Sequence, residues 1–155
     1  MDKDFDAVFA LFHVMSYLTS NRDVVLGFET AREHLETGGS FVFDVWHGPG
    51  VKKMKPNVRV KKVSNDFLEV IRIAEPNWDL PTGTVTVNYR VFFRGAGTSC
   101  WHSFTEAHTL RYFSRREIAN FAASTGFVIK FSEETLNGNP PTRNSWGVTY
   151  CLQAT

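Results

Sequence analysis

Two apolar runs near the start of the chain decide its fold: DAVFAL at residues 6–11 and SFVFDV at residues 40–45. Short continuous apolar runs are typical of strands buried on both faces of a parallel sheet. The segment between them has a helical pattern, with Ser20 or Asn21 as its N-cap. Its apolar residues recur at helical spacing: Val24, Phe28, Ala31 and Leu35. We expect the helix to end at Gly38-Gly39, which completes a βαβ unit with parallel strands.

The middle of the chain has a different pattern, a series of strands joined by turns. The predicted strands are 58–63, 67–73, 84–93 and 99–113. Turn-forming residues separate them at 79–83 and 95–98, and such short connections exclude parallel crossovers. The sequence therefore predicts an antiparallel sheet inserted at residues 51–113.

After the insertion the α/β pattern resumes. Ser114 and Glu117 have the spacing of a capping box, and Gly126 ends the helix that they open. Two further strands are predicted at 127–131 and 146–152, and the long loop between them permits antiparallel pairing.

Composition places the chain among ordinary globular domains. It has 155 residues and a net charge of +1, so nothing in the overall charge favours a nucleic acid or an acidic membrane as partner. No apolar run approaches the roughly 20 residues that span a bilayer. The acidic start, MDKD, is unlike a signal peptide, and Cys100 and Cys151 lack metal-type spacing. We expect a cytoplasmic protein with free thiols and no metal.

The order of these elements resembles the second half of the class I S-adenosylmethionine-dependent methyltransferase fold. FDAV at 5–8 followed by LFHVMSYL at 11–18 resembles the family's fourth strand and the loop after it. HLETGG at 34–39 with FVFD at 41–44 resembles the segment that leads into the fifth strand. The resemblance covers nearly all of the chain. It implies an α/β fold for residues 1–155, an incomplete Rossmann-like methyltransferase sheet with an inserted antiparallel β-sheet.

Three features narrow the resemblance: Trp46 and Pro49 after the fifth strand, the antiparallel insertion, and EAH at 106–108. Together they are similar to the N,N-dimethyltransferases of nucleotide-linked amino sugars and to small-molecule N-methyltransferases such as the glycine enzyme. The implied substrate is a small molecule, such as an amino sugar or another amine.

The cofactor-binding signature of the family is not found in these 155 residues. Class I enzymes hold S-adenosylmethionine on a glycine-rich turn after the first strand and on an acidic residue after the second. The turns Gly48-Pro49-Gly50 and Gly95-Ala96-Gly97 are not expected to open a helix. We therefore expect a truncated domain that does not bind S-adenosylmethionine by itself.

The loop after the first strand carries the first set of site residues. By the resemblance, Leu11 and Phe12 contact the cofactor, while His13 and Tyr17 act in catalysis and face the substrate. The position of this loop agrees with such a role, since open α/β sheets bind ligands at the carboxyl ends of their parallel strands. The structural alternative is that Phe12 and Tyr17 are core aromatics and that His13 caps a helix.

Three other residues near strand ends have more than one interpretation. Trp46 is expected to line the substrate pocket with Tyr17, a role compatible with simple packing. Asp44 either orients the loop or contacts substrate, and inside a strand a structural role is favoured. Arg111 points to the opposite face from Glu106 and His108 and is left out of the site.

Glu106 and His108 are two residues apart on a predicted strand, so they project from one face. A carboxylate beside an imidazole can orient it as a base, and we predict both residues to be catalytic. An exposed polar face without function is equally compatible with the pattern. A metal site with His102 is disfavoured because the family needs none.

Two functions stay open. The first is a methyltransferase region that acts on a small molecule. The second is a non-catalytic remnant or interaction module, because without the missing half residues 6–11 form an apolar edge strand that recruits another copy or a partner. A small-ligand binder that uses the antiparallel sheet as a cup is a third possibility.

Overall fold

The computed structural model describes residues 5–155, which divide into two compact units. The first unit contains residues 5–55 and 110–155, and the second contains residues 56–109. Both cysteines are free, and Cys151 is buried whereas Cys100 is exposed. None of the helices among the described residues has the length and apolar character needed to cross a bilayer.

The first unit opens with the predicted βαβ arrangement. Strand β1 is Phe5–Ala10, helix α1 is Asn21–Glu33 and strand β2 is Leu35–His47. The two strands pair in parallel, with Ala7 opposite Ser40 and Ala10 opposite Phe43, which confirms the prediction. A 3₁₀ helix, Val14–Tyr17, lies in the loop after β1.

Helix α1 begins as predicted and ends earlier than predicted. The Ser20 side chain accepts a hydrogen bond from the backbone N–H of Asp23 at 3.1 Å, which makes Ser20 the N-cap. The expected end at Gly38-Gly39 is wrong, since the helix stops at Glu33. Leu35 is buried as expected, but it belongs to β2 and pairs with Phe5. Strand pairing overrides the helical spacing here.

Helix α2, Gly48–Met54, follows β2 directly and was missed by the sequence prediction. Gly48-Pro49-Gly50 therefore does open a helix, since proline is favoured in the first turn, where its missing N–H costs nothing. A Cβ on Gly50 would overlap the carbonyl oxygen of Ser145, so this glycine allows close packing of the two segments.

The rest of the first unit completes its sheet. Helix α3 is Arg115–Ser124, strand β7 is Phe127–Glu134 and strand β8 is Gly147–Ala154. The predicted capping box between Ser114 and Glu117 is confirmed in both directions. Strand β8 lies antiparallel between β2 and β7, as the sequence permitted.

An aromatic cluster forms the centre of the core of the first unit. The Phe28 ring on α1 lies 5.4–6.2 Å from four other phenylalanine rings, on β2, α3 and β7. These partners are Phe41, Phe43, Phe121 and Phe127. Aromatic contacts of this kind, three of them edge-to-face and the one with Phe121 tilted, add to the stabilisation from burial and hold both helices against the sheet.

The second unit is the predicted antiparallel sheet. Its strands are β3 (Arg59–Ser64), β4 (Leu68–Asp79), β5 (Thr84–Gly95) and the first part of β6 (His102–Phe113). Strand β4 pairs antiparallel with both β3 and β5, without a register shift. The end of β6 belongs to the first unit, where Tyr112 and Phe113 pair in parallel with Trp46 and His47.

Candidate functional site

The loop after β1 holds two consecutive residues in a left-handed backbone conformation. Phe12 and His13 both have φ of 62°. For residues with a Cβ this conformation costs about 1–2 kcal/mol each. A buried carboxylate offsets the cost, because the backbone N–H of His13 donates to both oxygens of Asp44 at 3.2 Å.

Asp44 also contacts the imidazole of His13. Nδ1 of His13 lies 2.6 Å from Oδ2 of Asp44, although the ring N–H is not aligned for a hydrogen bond. The Asp44 side chain is only 5% exposed, whereas that of His13 is 30% exposed. A carboxylate at Nδ1 fixes the ring orientation and leaves Nε2 as the nitrogen available for proton exchange. Asp44 thus orients the loop, one of the two roles considered for it.

Trp46 and Ser16 fasten the loop to β2. The backbone N–H of Trp46 donates to the buried Ser16 hydroxyl at 3.0 Å. The Trp46 ring lies edge-on to Trp146 at 5.2 Å and to His13 at 6.5 Å between centroids. The structure therefore brings His13 and Trp46 together at the carboxyl ends of β1 and β2.

Gly147 on β8 provides the space for the His13 ring. A Cβ at this position would lie 3.1 Å from Cε1 of His13 and 3.0 Å from the Thr135 hydroxyl. The sequence prediction missed Gly147 and Trp146 as neighbours of the site. In the sequence, these two residues are marked only as the start of a predicted strand. They lie close to the site because β8 pairs with β2.

Several apolar side chains of the same loop are exposed. Phe12 is 87% exposed, Tyr17 48% and Leu11 43%. The alternative that Phe12 and Tyr17 are core aromatics is therefore wrong, and His13 makes no side-chain cap to the 3₁₀ helix. The loop presents an apolar surface beside a histidine whose orientation is fixed.

Glu106 and His108 lie in the second unit, on β6. Nε2 of His108 lies 3.3 Å from Oε2 of Glu106, and its ring is edge-on to Tyr89 at 5.4 Å between centroids. An open cavity of about 480 Å³ borders Glu106, Tyr89 and the ion pair between Glu75 and Arg90. The carboxylate and the imidazole are therefore paired, as their spacing predicted.

The contacts of Arg111 connect β6 to the start of α1 and to α3. Its guanidinium donates to Asn21 Oδ1 at 2.8 Å, to the Thr19 carbonyl at 3.3 Å and to Glu117 at 2.9 Å. Burial by itself raises the pKa of Glu117, but the hydrogen bonds with Ser114 and Arg111 and the charge of Arg111 together outweigh it and lower that pKa below its ordinary value. Among residues 5–155, no group of three His, Cys, Asp or Glu side chains could hold a metal ion.

Solved structures with the same arrangement were found by comparison of folds. A S-adenosylmethionine-dependent methyltransferase from Clostridium acetobutylicum has 17% identity and a TM-score of 0.83, and the match covers 99% of this chain and 60% of that chain. The chain has the methyltransferase fold. No protein-family model and no curated protein sequence matches it.

Two of the other methyltransferase matches are enzymes of sugar chemistry. CalS10, an amino pentose methyltransferase from Micromonospora echinaspora, has 20% identity and a TM-score of 0.77 over 100% of this chain and 60% of its own. The sugar N-methyltransferase KedS8 from a Streptoalloteichus species has 17% identity and a TM-score of 0.76, and the match covers 97% of this chain and 57% of KedS8. The resemblance stated from the sequence is confirmed for the fold, and the chain spans about three fifths of the length of these methyltransferases.

Proposed function

We propose that this chain is the substrate-side part of an S-adenosylmethionine-dependent methyltransferase that acts on a small-molecule amine, such as a nucleotide-linked amino sugar. The observation that carries the proposal is the pairing of His13 with buried Asp44 at the carboxyl end of β1, in a methyltransferase fold. The description of CalS10 as an amino pentose methyltransferase supports the substrate class.

Methylation of an amine requires its nitrogen to be neutral when it attacks. A base near the nitrogen can take the proton of the substrate ammonium before the attack, or the proton of the methylated ammonium that the attack produces. His13 is suited to this role because Asp44 contacts Nδ1 and leaves Nε2 to exchange the proton. Tyr17 and Trp46, from the same site, position the substrate and exclude water from it.

Glu106 and His108 are the second pair proposed to act on the substrate. Their 3.3 Å contact gives an imidazole with a carboxylate at one nitrogen, the same chemistry as at His13. We assign them to a polar ligand-binding site of the second unit, with His108 as its proton acceptor.

The cofactor would supply an electrophilic methyl group on a sulfonium, and the described residues fit only one side of its site. Leu11 and Phe12 are exposed apolar side chains that could contact it. Helices α1 and α3 begin without a glycine-rich turn, and Gly50 in α2 is packed against Ser145. We propose that residues outside this chain, from the same protein or a partner, supply the rest of the site.

Calorimetric titration of the 155-residue chain with S-adenosylhomocysteine tests this division of the site. The proposal predicts no micromolar binding by the chain alone. Micromolar binding would show that these residues suffice, and the claim of an incomplete cofactor site would be wrong.

A second candidate function, a non-catalytic interaction module, is favoured by the edge of β1. Within residues 5–155, β1 pairs with β2 alone, and Phe9 is 63% exposed. An apolar groove of about 300 Å³ lies between β1 and α1, bordered by Phe5, Val8 and Met15. We propose that a second copy of the chain, or a partner that supplies the missing half, covers this edge. A stable monomer at high concentration in sedimentation analysis would contradict the second copy as the chain that covers this edge.

A further inference from the structure

A row of cationic and aromatic side chains crosses one face of the antiparallel sheet of the second unit. Lys61 on β3 lies directly opposite Arg72 on β4. The Arg72 guanidinium lies 5.0 Å from the centroid of the Tyr89 ring on β5, and that ring contacts His108 on β6. The row is therefore continuous across four strands.

Within residues 5–155, the lysine and arginine side chains of this row have no carboxylate partner. Arg59 is two residues from Lys61 on β3 and projects from the same face. Among the described residues, no carboxylate lies within ion-pair distance of Arg59, Lys61 or Arg72. Three glutamates on β4 and β6 have other partners: Glu69 pairs with Arg94, Glu75 with Arg90 and Glu106 with His108.

Like charges directly opposite each other destabilise a sheet, so the pair of Lys61 and Arg72 opposes folding. Protection of an edge strand explains lysines on β3. It does not explain Arg72, because β4 has a paired strand on each side. The whole chain has a net charge of +1, so the cluster is a local feature and not a consequence of a basic protein. Residues that conflict locally with stability are typical of functional sites.

We propose that Arg59, Lys61 and Arg72 bind the phosphate or diphosphate group of a small molecule. An anion between Lys61 and Arg72 would turn their repulsion into two charge-assisted contacts, and the planar guanidinium matches two phosphate oxygens at once. The rest of the ligand would then lie across Tyr89 toward His108 and Glu106. This assignment rests on the proposed function, because only that function makes the ligand a substrate. It adds to that function by assigning the charged group of the substrate to β3 and β4.

Titration of the complete chain with inorganic pyrophosphate tests the site without methyl transfer. We expect saturable, submillimolar binding at low salt, weakened about tenfold in Lys61→Gln and in Arg72→Gln, because each loses a charge-assisted hydrogen bond. Lys62→Gln is the matched control, since Lys62 is the next residue on β3 but faces the opposite side. Without ligand, Arg72→Gln should melt at a higher temperature than the wild type. Addition of pyrophosphate should raise the melting temperature of the wild type by more than it raises that of Arg72→Gln.

Three results would overturn the site: no saturable pyrophosphate binding, equal weakening by Lys62→Gln, or tighter binding of single-stranded RNA with the same dependence on Arg72. The third result would identify a polymer surface. Failure of the methyltransferase proposal gives a different pattern, because pyrophosphate binding would persist while no amine is methylated. If methylation occurs and Arg72→Gln leaves the KM of a nucleotide-linked acceptor unchanged, the site is wrong and the function stands.

Discussion

His13 and Asp44 are 31 residues apart in the sequence, yet the carboxylate of Asp44 contacts His13 at both its backbone N–H and its ring nitrogen Nδ1. The backbone contact stabilises a left-handed residue, and the ring contact fixes the orientation of the imidazole. One buried carboxylate therefore sets both the path of the loop and the chemistry that the loop presents.

Asp44→Ala should destabilise the protein. It removes the acceptor of the His13 N–H and the partner of its ring, and we expect a loss of about 1–3 kcal/mol in the free energy of unfolding, measured with urea. The control is Asp66→Asn, an exposed turn residue, which should change stability by less than about 0.5 kcal/mol. Equal effects of the two variants would contradict the role of Asp44.

Gly147→Ala should displace the His13 ring, because the new Cβ would lie 3.1 Å from Cε1 of His13 and 3.0 Å from the Thr135 hydroxyl. We expect a loss of about 1–2 kcal/mol in stability and a shifted Hε1 resonance of His13 in proton NMR. Gly95→Ala is the matched control, since its Cβ would have only an ordinary contact with Thr98 at 3.7 Å. An unshifted His13 resonance in Gly147→Ala would show that β8 does not position the ring.

His47 should make stability depend on pH. Burial lowers the pKa of His47 below its ordinary value of 6.5, and Nδ1 has no hydrogen-bond partner among the described residues. Near pH 6.5 the imidazole of His47 binds a proton in the unfolded chain but stays neutral in the folded chain. Stability contributed by neutral His47 is therefore lost as the pH falls through 6.5 toward the folded pKa.

Urea unfolding at pH 7.5, 6.5 and 5.5 measures this dependence. His47→Gln should flatten it, by at most about 1.4 kcal/mol per pH unit, the limit for one proton. Asn144→Gln, which changes an exposed side chain that does not titrate, should leave the slope as in the wild type. A slope unchanged by His47→Gln would contradict the assignment to His47.

Phe9→Lys should weaken self-association through β1. Phe9 is 63% exposed on a strand that pairs only with β2 within the described residues, and a charge there discourages contact with a second chain. We expect a monomer in sedimentation velocity at concentrations at which the wild type associates. Leu136→Lys is the control, because Leu136 is 98% exposed in a loop and should have no effect. If both variants associate like the wild type, the edge of β1 is not the interface.

Features with local signals could be predicted from the sequence. The turn residues at 79–83 and 95–98, the capping box of Ser114 and Glu117 and the apolar runs of β1 and β2 each need only a few neighbouring residues. The end of α1 was missed because the pairing of Leu35 with Phe5 places that residue in β2. Helix α2 was missed because Gly48-Pro49-Gly50, which was interpreted as a turn, forms the first turn of a helix. The contacts of Asp44 with His13 and the position of Lys61 opposite Arg72 depend on how separate segments pair, which local patterns do not specify.

Methyl transfer by this chain, together with the residues of the same protein or of a partner that complete the cofactor site, tests the central claim most directly. Labelled S-adenosylmethionine and a nucleotide-linked amino sugar would be supplied to the wild type and to His13→Asn, since asparagine tolerates the left-handed backbone of residue 13. The account predicts a methylated amine from the wild type and a rate at least about 100-fold lower from the variant, the loss expected for a general base. A variant as fast as the wild type, or no transfer to any amine, would contradict it.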